Sequence, residues 1–457
     1  MLKTSYNEPI NIIGAGLVGT LLAIYLSKRN YKINIYERRP DPRLITLNSG
    51  RSITVTICTR GWKALEQAGL DINYIKSFTV PLPGRIIHYE DGTTSFQPYG
   101  AKGEALYAIS RNKLNDILLE VLDKKPNVKM FFNKKCIDVK PEECIVELED
   151  YKSKKNSYIK GHPIIATDGA FSSVRSSILK REKYFAYSHQ TSDYAHKELL
   201  VSKELNKKLS INPEGLHVWP RGRVLILIFP CSDGSSGCSL FLPVEGENSF
   251  GSLKTEKNLI NFFKNLAPDL LGLFPNLIKQ YFSNPISYLY SIKCYPWSYQ
   301  GNFILLGDAA HAMVPFLGQG MNSGFEDCMV FAECLDSYGN NWPQVLNHFS
   351  ALRKPNCDAI TDLSLQHFLE LAELIKNPSF LIRKKTEERM FAKYPSLFIP
   401  PHYLISFTDL AYIKAKEAQS TQDEIIDKIM SNLKSNSDLD IDKAIDDYVI
   451  ATNFTYK

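Results

Sequence analysis

An α/β fold is predicted, in which a parallel sheet is interleaved with a separate mixed β-sheet and followed by a helical C-terminal part. Three stretches of the 457-residue chain carry that prediction. "PINIIGAGLVGTLLAIYLSKRNYKINIYE" reads as strand, glycine turn, helix, strand. "LHVWPRGRVLILIFP" and "GCSLFLP" read as paired strands of a second sheet, and residues 351–457 read mainly as helix.

In the first stretch Ile10, Ile12 and Ile13 form a short buried run. Leu17, Leu21, Leu22, Tyr25 and Leu26 then recur at helical spacing. Gly14, Gly16 and Gly19 form G-x-G-x-x-G between the two. The first permits the tight turn, the second lets backbone approach a pyrophosphate, and the third lets helix pack closely on strand. Amides at the helix start favour the phosphate charge. Glu37 ends the second strand 23 residues after Gly14, where an acid can accept hydrogen bonds from a ribose. An acid there, with no arginine in its place, points to an unphosphorylated ribose, as in FAD or NAD.

Next along the chain, Arg51 lies in a Gly-Arg-Ser turn before an alternating strand, and Arg111 opens a helix with Leu114, Ile117, Leu118 and Leu122 on one face. "VKMFFNKKCIDV" reads as one strand, and Asp168-Gly169 follows another apolar strand. Residues 255–283 read as helical, and "NFILL" at 302–306 is a strand that delivers Asp308. Then comes "GDAAHAMVPFLGQGMNSGFED", with few charges and several glycines, entering a helix beyond Pro315. Asp308 can accept hydrogen bonds from a polyol. The uncapped helix start suits an electron-rich ring that becomes anionic on reduction. A flavin lying against Pro315, Gln319, Gly320, Met321 and Asn322 meets both requirements.

Composition narrows the function classes. Hydrophobic residues make up 44% and charged residues 23%, an ordinary globular balance with ample core. The net charge of +5 comes without a dense Lys/Arg cluster, so no nucleic-acid partner is expected. Nine cysteines, with no CxxC and no zinc-like spacing, indicate reduced thiols in a cytoplasmic protein and no metal site. No window reaches about 18 uninterrupted apolar residues, so no membrane anchor is expected.

Taken in order, "GAGLVG" with Glu37, Arg51, Arg111, "TDGAFSSVR" and "GDAAHAMVPFLGQGMNSGFED" resemble the class A flavin monooxygenases, the p-hydroxybenzoate hydroxylase-like group. More narrowly, "GRSITV", "ISRNKLN", "NVKMFFN", "LHVWPRG" and "GQGMNSGFEDC" resemble the kynurenine 3-monooxygenase family, from about residue 10 to 370. That resemblance implies a Rossmann-like FAD-binding domain from 1–75, 100–180 and 295–350. It also implies a substrate-covering sheet domain from 76–99 and 181–294, and a helical region from 351–457. It implies FAD as cofactor and NADPH as a transient co-substrate, with O2 adding at flavin C4a to form the hydroperoxide that converts L-kynurenine to 3-hydroxykynurenine. FAD contacts carried over from the family fall on Val18, Glu37, Arg38, Thr56 and Arg111, on the backbone at Cys136, and on Ser173, Asp308, Met321 and Asn322. Asp168 resembles the motif placed between FAD and NADPH.

For the substrate, Arg85 and Tyr99 resemble the pair that grips a carboxylate, since a planar guanidinium meets it bidentately. Phe316 lines the ring pocket by the same resemblance. His367 stands where the family has Asn, and Glu370 matches one turn on. Where the family has a late Tyr, "FIPPHYLISF" offers His402 or Tyr403. His311 is expected to orient its loop. The alternatives are a related monooxygenase with another aromatic substrate, or a non-catalytic FAD-binding sensor. Oligomeric state is not legible.

Overall fold

The computed structural model describes residues 8–44, 54–100, 103–208, 212–273, 277–370, 377–433 and 437–452. Arg51 lies outside them. A six-stranded sheet carries the first stretch of sequence. Its core strands Ile10–Ile13, Ile33–Tyr36, Val128–Phe131, Ile164–Ala166 and Phe303–Leu305 are parallel, and Ser298–Tyr299 pairs antiparallel at one edge. The helix Leu17–Ser27 is buried almost all round because it lies between neighbours, packing on the helices Arg111–Asp123 and Gln319–Tyr338. Leu21, Leu22 and Leu26 are fully buried there. Truncating any one of them to Ala costs about 2–5 kcal/mol.

The glycine turn has the geometry its spacing predicts. Gly14 sits at φ +108°, and a Cβ on it would lie 2.5 Å from the Thr167 carbonyl oxygen. A Cβ on Gly19 would lie 2.1 Å from the Gly14 carbonyl oxygen, whereas nothing stands within 4 Å of one on Gly16. The outer two glycines serve packing, and the middle one leaves an open backbone face. Gly14→Ala is therefore expected to destabilise the fold by about 3 kcal/mol through strain and overlap. Chemical denaturation checks this, and a variant as stable as the parent refutes it.

The second sheet has seven strands in the order Ser287–Tyr295, Ala186–Val201, Ser236–Pro243, Val224–Pro230, Leu216–Arg221, Gly84–His88, Thr94–Pro98. It is mixed, because Leu216–Arg221 pairs parallel with Gly84–His88 while the other pairs are antiparallel. A three-stranded sheet puts Leu106–Ser110 between Thr54–Ile57 and Val80–Leu82. Its register sets Thr54 opposite Ser110, which brings Thr56 and Arg111 to one neighbourhood.

Two element assignments differ from the sequence reading. "VKMFFNKKCIDV" forms two strands, Val128–Phe131 in the parallel sheet and Lys134–Lys140 in an antiparallel one, because Asn133 at φ 59° turns the chain between them. Residues 255–283 contain the helix Glu256–Leu266, a 3-10 segment Pro268–Leu273 and the helix Leu277–Ser283. Pro268 lacks the N–H that continuation of the first helix needs. Pro401 occupies the first turn of the helix Pro401–Phe407, where its missing donor costs nothing.

Candidate functional site

A cavity of about 940 Å³ lies between the two main sheets. At one end its wall is Gly16, Leu17, Val18, Thr56, Arg111, Asp308, Pro315, Gly320 and Met321. Asp308 is exposed to it and begins a short helix, Asp308–His311, behind Gly307 at φ 58°. Gly318, at φ 64°, precedes the helix Gln319–Tyr338, whose start has no side-chain cap, so its first amides are free for a ligand. A Cβ on Gly318 would lie 2.7 Å from Thr56 Oγ1.

Glu37 is buried at the end of its strand. It accepts the Ala15 amide at 2.9 Å and both the amide and Nε of Arg39 at 2.9 Å. Burial works to raise its pKa, but Arg39 and these amides bring it below the usual carboxylate value. Two oxygens with about four lone-pair sites leave it able to accept from a ribose as well. Asp168 is half-buried; its Oδ2 accepts the Ser173 amide at 2.8 Å, while Oδ1 has no partner among the described residues. Burial raises its pKa, opposed by Ser172 and the amides of Val174 and Ser173. Cys136 is buried on Lys134–Lys140, and Arg38 is exposed beyond Glu37.

Gln319 and Asn322 act differently from the rest of their loop, since their side chains are buried and already bonded. Asn322 Nδ2 donates to the carbonyls of Thr56 (2.8 Å) and Gly318 (2.9 Å), and its Oδ1 accepts the Cys58 amide at 3.1 Å. Gln319 Oε1 accepts the Tyr412 hydroxyl at 2.9 Å. Both pin the glycine-rich turn, which leaves its backbone to face the cavity.

The opposite end of the cavity is lined by Arg85, Tyr99, Phe316 and His402. The Arg85 guanidinium lies 5.3 Å from the Tyr99 ring centroid, and His402 stacks on that ring at 5.1 Å and 26°. His402 is held well below its ordinary pKa, first by burial and then by the charges of Arg85, His367 and Lys384. His367 is lowered by burial, with Arg85 adding to the effect and Glu370 opposing it. Both imidazoles are therefore neutral at neutral pH and offer N–H donors without added charge. His367 Nδ1 is 3.8 Å from Glu370 Oε2, and its Nε2 has no partner among the described residues. His367 and Glu370 stand behind the lining. Tyr403 turns away, its hydroxyl donating to Glu104 Oε1 at 2.6 Å, so the position facing the cavity is His402. Phe316 stacks on Phe368 at 4.3 Å and meets Phe241 at 5.0 Å, forming an aromatic wall.

Behind the Gly307 turn runs a buried ionic chain that sequence reading missed apart from His311. Asp327 Oδ2 accepts the Gly307 amide at 3.0 Å and His311 Nε2 at 2.6 Å. Arg353 Nε donates to Asp327 Oδ1 at 2.7 Å, and its Nη1 donates to Glu326 at 2.6 Å. Glu326 also accepts from Arg60 at 2.9 Å. Burial works to raise the Asp327 pKa, but His311 and Arg353 hold it down at about 2. His311, Asp327 and Cys357 bring ligand-type atoms within 4.8 Å of one another. Arg353 bonds all but His311 of that group, so a permanent cation already balances the carboxylate there.

Comparison with known proteins decides the family. An NAD(P)-binding Rossmann-like domain matches residues 12–65, and an FAD binding domain matches 294–364. A kynurenine 3-monooxygenase of Christiangramia forsetii is 40% identical over 93% of this chain and 94% of its own length. The chain belongs to the kynurenine 3-monooxygenase family. Members from Legionella pneumophila (38% identical, 92% of this chain and 93% of the relative) and Dictyostelium discoideum (35%, 99% and 98%) agree. Among solved structures, 2-methyl-3-hydroxypyridine-5-carboxylic acid oxygenase superposes with a TM-score of 0.65 over 88% of this chain and 96% of that one, at 20% identity. The p-nitrophenol 4-monooxygenase of Pseudomonas putida gives 0.65 over 92% and 98%, at 18% identity. These two show the fold alone, an α/β architecture shared over most of both chains. The cofactor of this family site is FAD, and the open face at Gly16, the exposed Asp308 and the uncapped helix start fit it. No helix among the described residues is long and apolar enough to cross a membrane.

Proposed function

We propose that the protein hydroxylates L-kynurenine on its aromatic ring to give 3-hydroxykynurenine, using FAD, NADPH and O2. The observation that carries this is one cavity with a flavin-type wall at one end and Arg85 stacked over Tyr99 at the other. FAD held there would supply the redox chemistry of the reaction, with NADPH as reductant and O2 as the oxygen source. The protein's own share is binding, orientation and exclusion of water.

Arg85 takes the substrate carboxylate, and the neutral His402 adds an N–H donor beside it, with His367 and Glu370 behind them. Phe241 and Phe316, in contact with each other, form a wall against one side of the aromatic ring and keep water from it. Asp308 holds the ribityl hydroxyls, Glu37 the ribose, and Gly16 the pyrophosphate, with Val18, Thr56, Arg111, Ser173, Arg38 and the Cys136 backbone around them. The free amides at Gly320 and Met321 stabilise negative charge on the reduced ring. We also propose the three-part division at 1–75, 100–180 and 295–350, then 76–99 and 181–294, then 351–457, supported by the strand membership of the two main sheets. A cytoplasmic location is supported by nine free cysteines, seven of them buried.

The test is NADPH consumption by the FAD-loaded protein with and without L-kynurenine, followed by mass spectrometry. Stimulated oxidation with a product heavier by one oxygen is the expected result. Stimulation that yields only peroxide would overturn the reading and make L-kynurenine an effector.

A further inference from the structure

The cavity floor carries a second polar group, four strands across the seven-stranded sheet from Arg85. Strand register sets residues in rows across the seven-stranded sheet. Glu198 faces Ser239, Ser239 faces Leu227, Leu227 faces Val218, and Val218 faces Ile87. The next row runs His196, Phe241, Leu225, Pro220. All of these line the cavity. Apolar side chains thus separate Arg85, which has Gln97 opposite it, from a group made of His196, Glu198 and Ser239.

The fold uses only part of that group's bonding capacity, through Ser239 on Glu198 and the Ser287 backbone on His196. A carboxyl on the inner face of an apolar sheet is costly to desolvate and needs partners. Ser239 Oγ donates to Glu198 Oε1 at 2.8 Å, and His196 Nε2 stands 3.7 Å from the same oxygen. Among the described residues nothing donates to the other Glu198 oxygen, and His196 Nδ1 has no partner. Burial pushes the Glu198 carboxyl up to about 7 and the His196 imidazole down to about 4. Two polar side chains are therefore kept in the cavity wall with bonding capacity unused. His196 also stacks on Phe241 at 5.4 Å, and Phe241 meets Phe316, which ties this end to the aromatic wall.

We infer that Glu198, seated by Ser239 and flanked by His196, is a specificity-determining acceptor for the arylamine N–H of a substrate whose carboxylate is held by Arg85. This rests on the proposed reading of the cavity as a site for an aromatic amino acid. Strands Gly84–His88 and Ala186–Val201 are four steps apart, about 19 Å at the usual strand spacing, and the two long side chains span roughly half of it. The remaining space suits an aryl amino acid lying across Leu225, Leu227 and Val218. An arylamine keeps a free N–H even when it bonds a neighbouring ketone. A ligand without that donor leaves the carboxyl desolvated and unpaired, the arrangement by which a polar site rejects an analogue.

The experiment measures dissociation constants of the holoprotein for L-kynurenine and for its desamino analogue, 2-amino-4-oxo-4-phenylbutanoate, by flavin absorbance and calorimetry. The parent is expected to prefer L-kynurenine by about tenfold. Glu198→Ala should weaken L-kynurenine by that factor and leave the analogue unchanged, while Glu198→Gln, which keeps an acceptor oxygen, should retain most of the preference. FAD content and melting temperature establish that the variants are folded. An equal loss for both ligands, or no loss for either, would overturn the role of Glu198. Failure of the parent to bind either ligand would instead overturn the aromatic amino acid reading beneath it.

Discussion

Arg85→Ala is expected to raise KM for L-kynurenine by about 100-fold while kcat falls little and FAD stays bound. Removing one partner of a desolvated carboxylate–guanidinium pair costs about 2–5 kcal/mol. The lost contact is made equally in the bound and reacting states, so the loss appears in KM. Arg85 stands at the far end of the cavity from Gly16 and Asp308, which is why the cofactor should be untouched. Its guanidinium also packs over Tyr99, and Tyr99 over His402, so truncation loosens a three-layer stack as well as removing charge. Arg85→Lys should recover only part of the affinity, because an ammonium cannot meet the carboxylate bidentately or stack as flatly. Steady-state NADPH oxidation across substrate concentrations, with the flavin spectrum as a check on occupancy, measures both. An unchanged KM would remove Arg85 from the substrate site.

Asp327→Asn is expected to destabilise the protein by about 3–5 kcal/mol and to weaken FAD binding. The substitution conserves shape but leaves His311 and Arg353 buried with only Glu326 to balance them. It also weakens the acceptor that fixes the Gly307 amide, and Gly307 precedes Asp308. The pH behaviour follows from the signs of the two shifts. Asp327 falls from 3.8 to about 2, so its contribution is present above about 4 and is lost as pH drops toward 2. Burial works to lower the His311 pKa, but the Asp327 carboxylate bonded to it raises it well above 6.5, so its contribution is full below 6.5 and is lost as pH rises through its folded value. The parent therefore owes this network most between about pH 4 and 6.5, and the Asn variant should differ from it most there. Thermal melts across pH read this directly, and coincident curves for parent and variant would show that the network contributes nothing.

The legible part of this protein is what depends on local spacing. G-x-G-x-x-G between a buried strand and an apolar helix sets its own turn. The structure has Gly14 at φ +108°, close packing at Gly19 and open space at Gly16, as the spacing alone requires. The strand that delivers Asp308 and the uncapped glycine entry to Gln319–Tyr338 were likewise readable, because both are consecutive residues. Period-2 alternation through Tyr194, His196 and Glu198 put the latter two on one face, a signal available in the sequence and left unused. Which face that was could not be read, since it depends on pairing with Ser236–Pro243, some forty residues away.

Only tertiary structure decided between His402 and Tyr403, because a helix rotation of one residue exchanges the one that faces the cavity with the one that meets Glu104. It alone showed that Gln319 and Asn322 spend their side chains bracing the turn, and that Asp327 is the hub of a buried ionic chain reaching Arg353, Glu326 and Arg60. Sequence determines what each residue is able to donate, accept or bury. Which of those capacities remains free for a ligand is settled by neighbours brought in from distant parts of the chain, and those neighbours are fixed only when the sheets and helices pack.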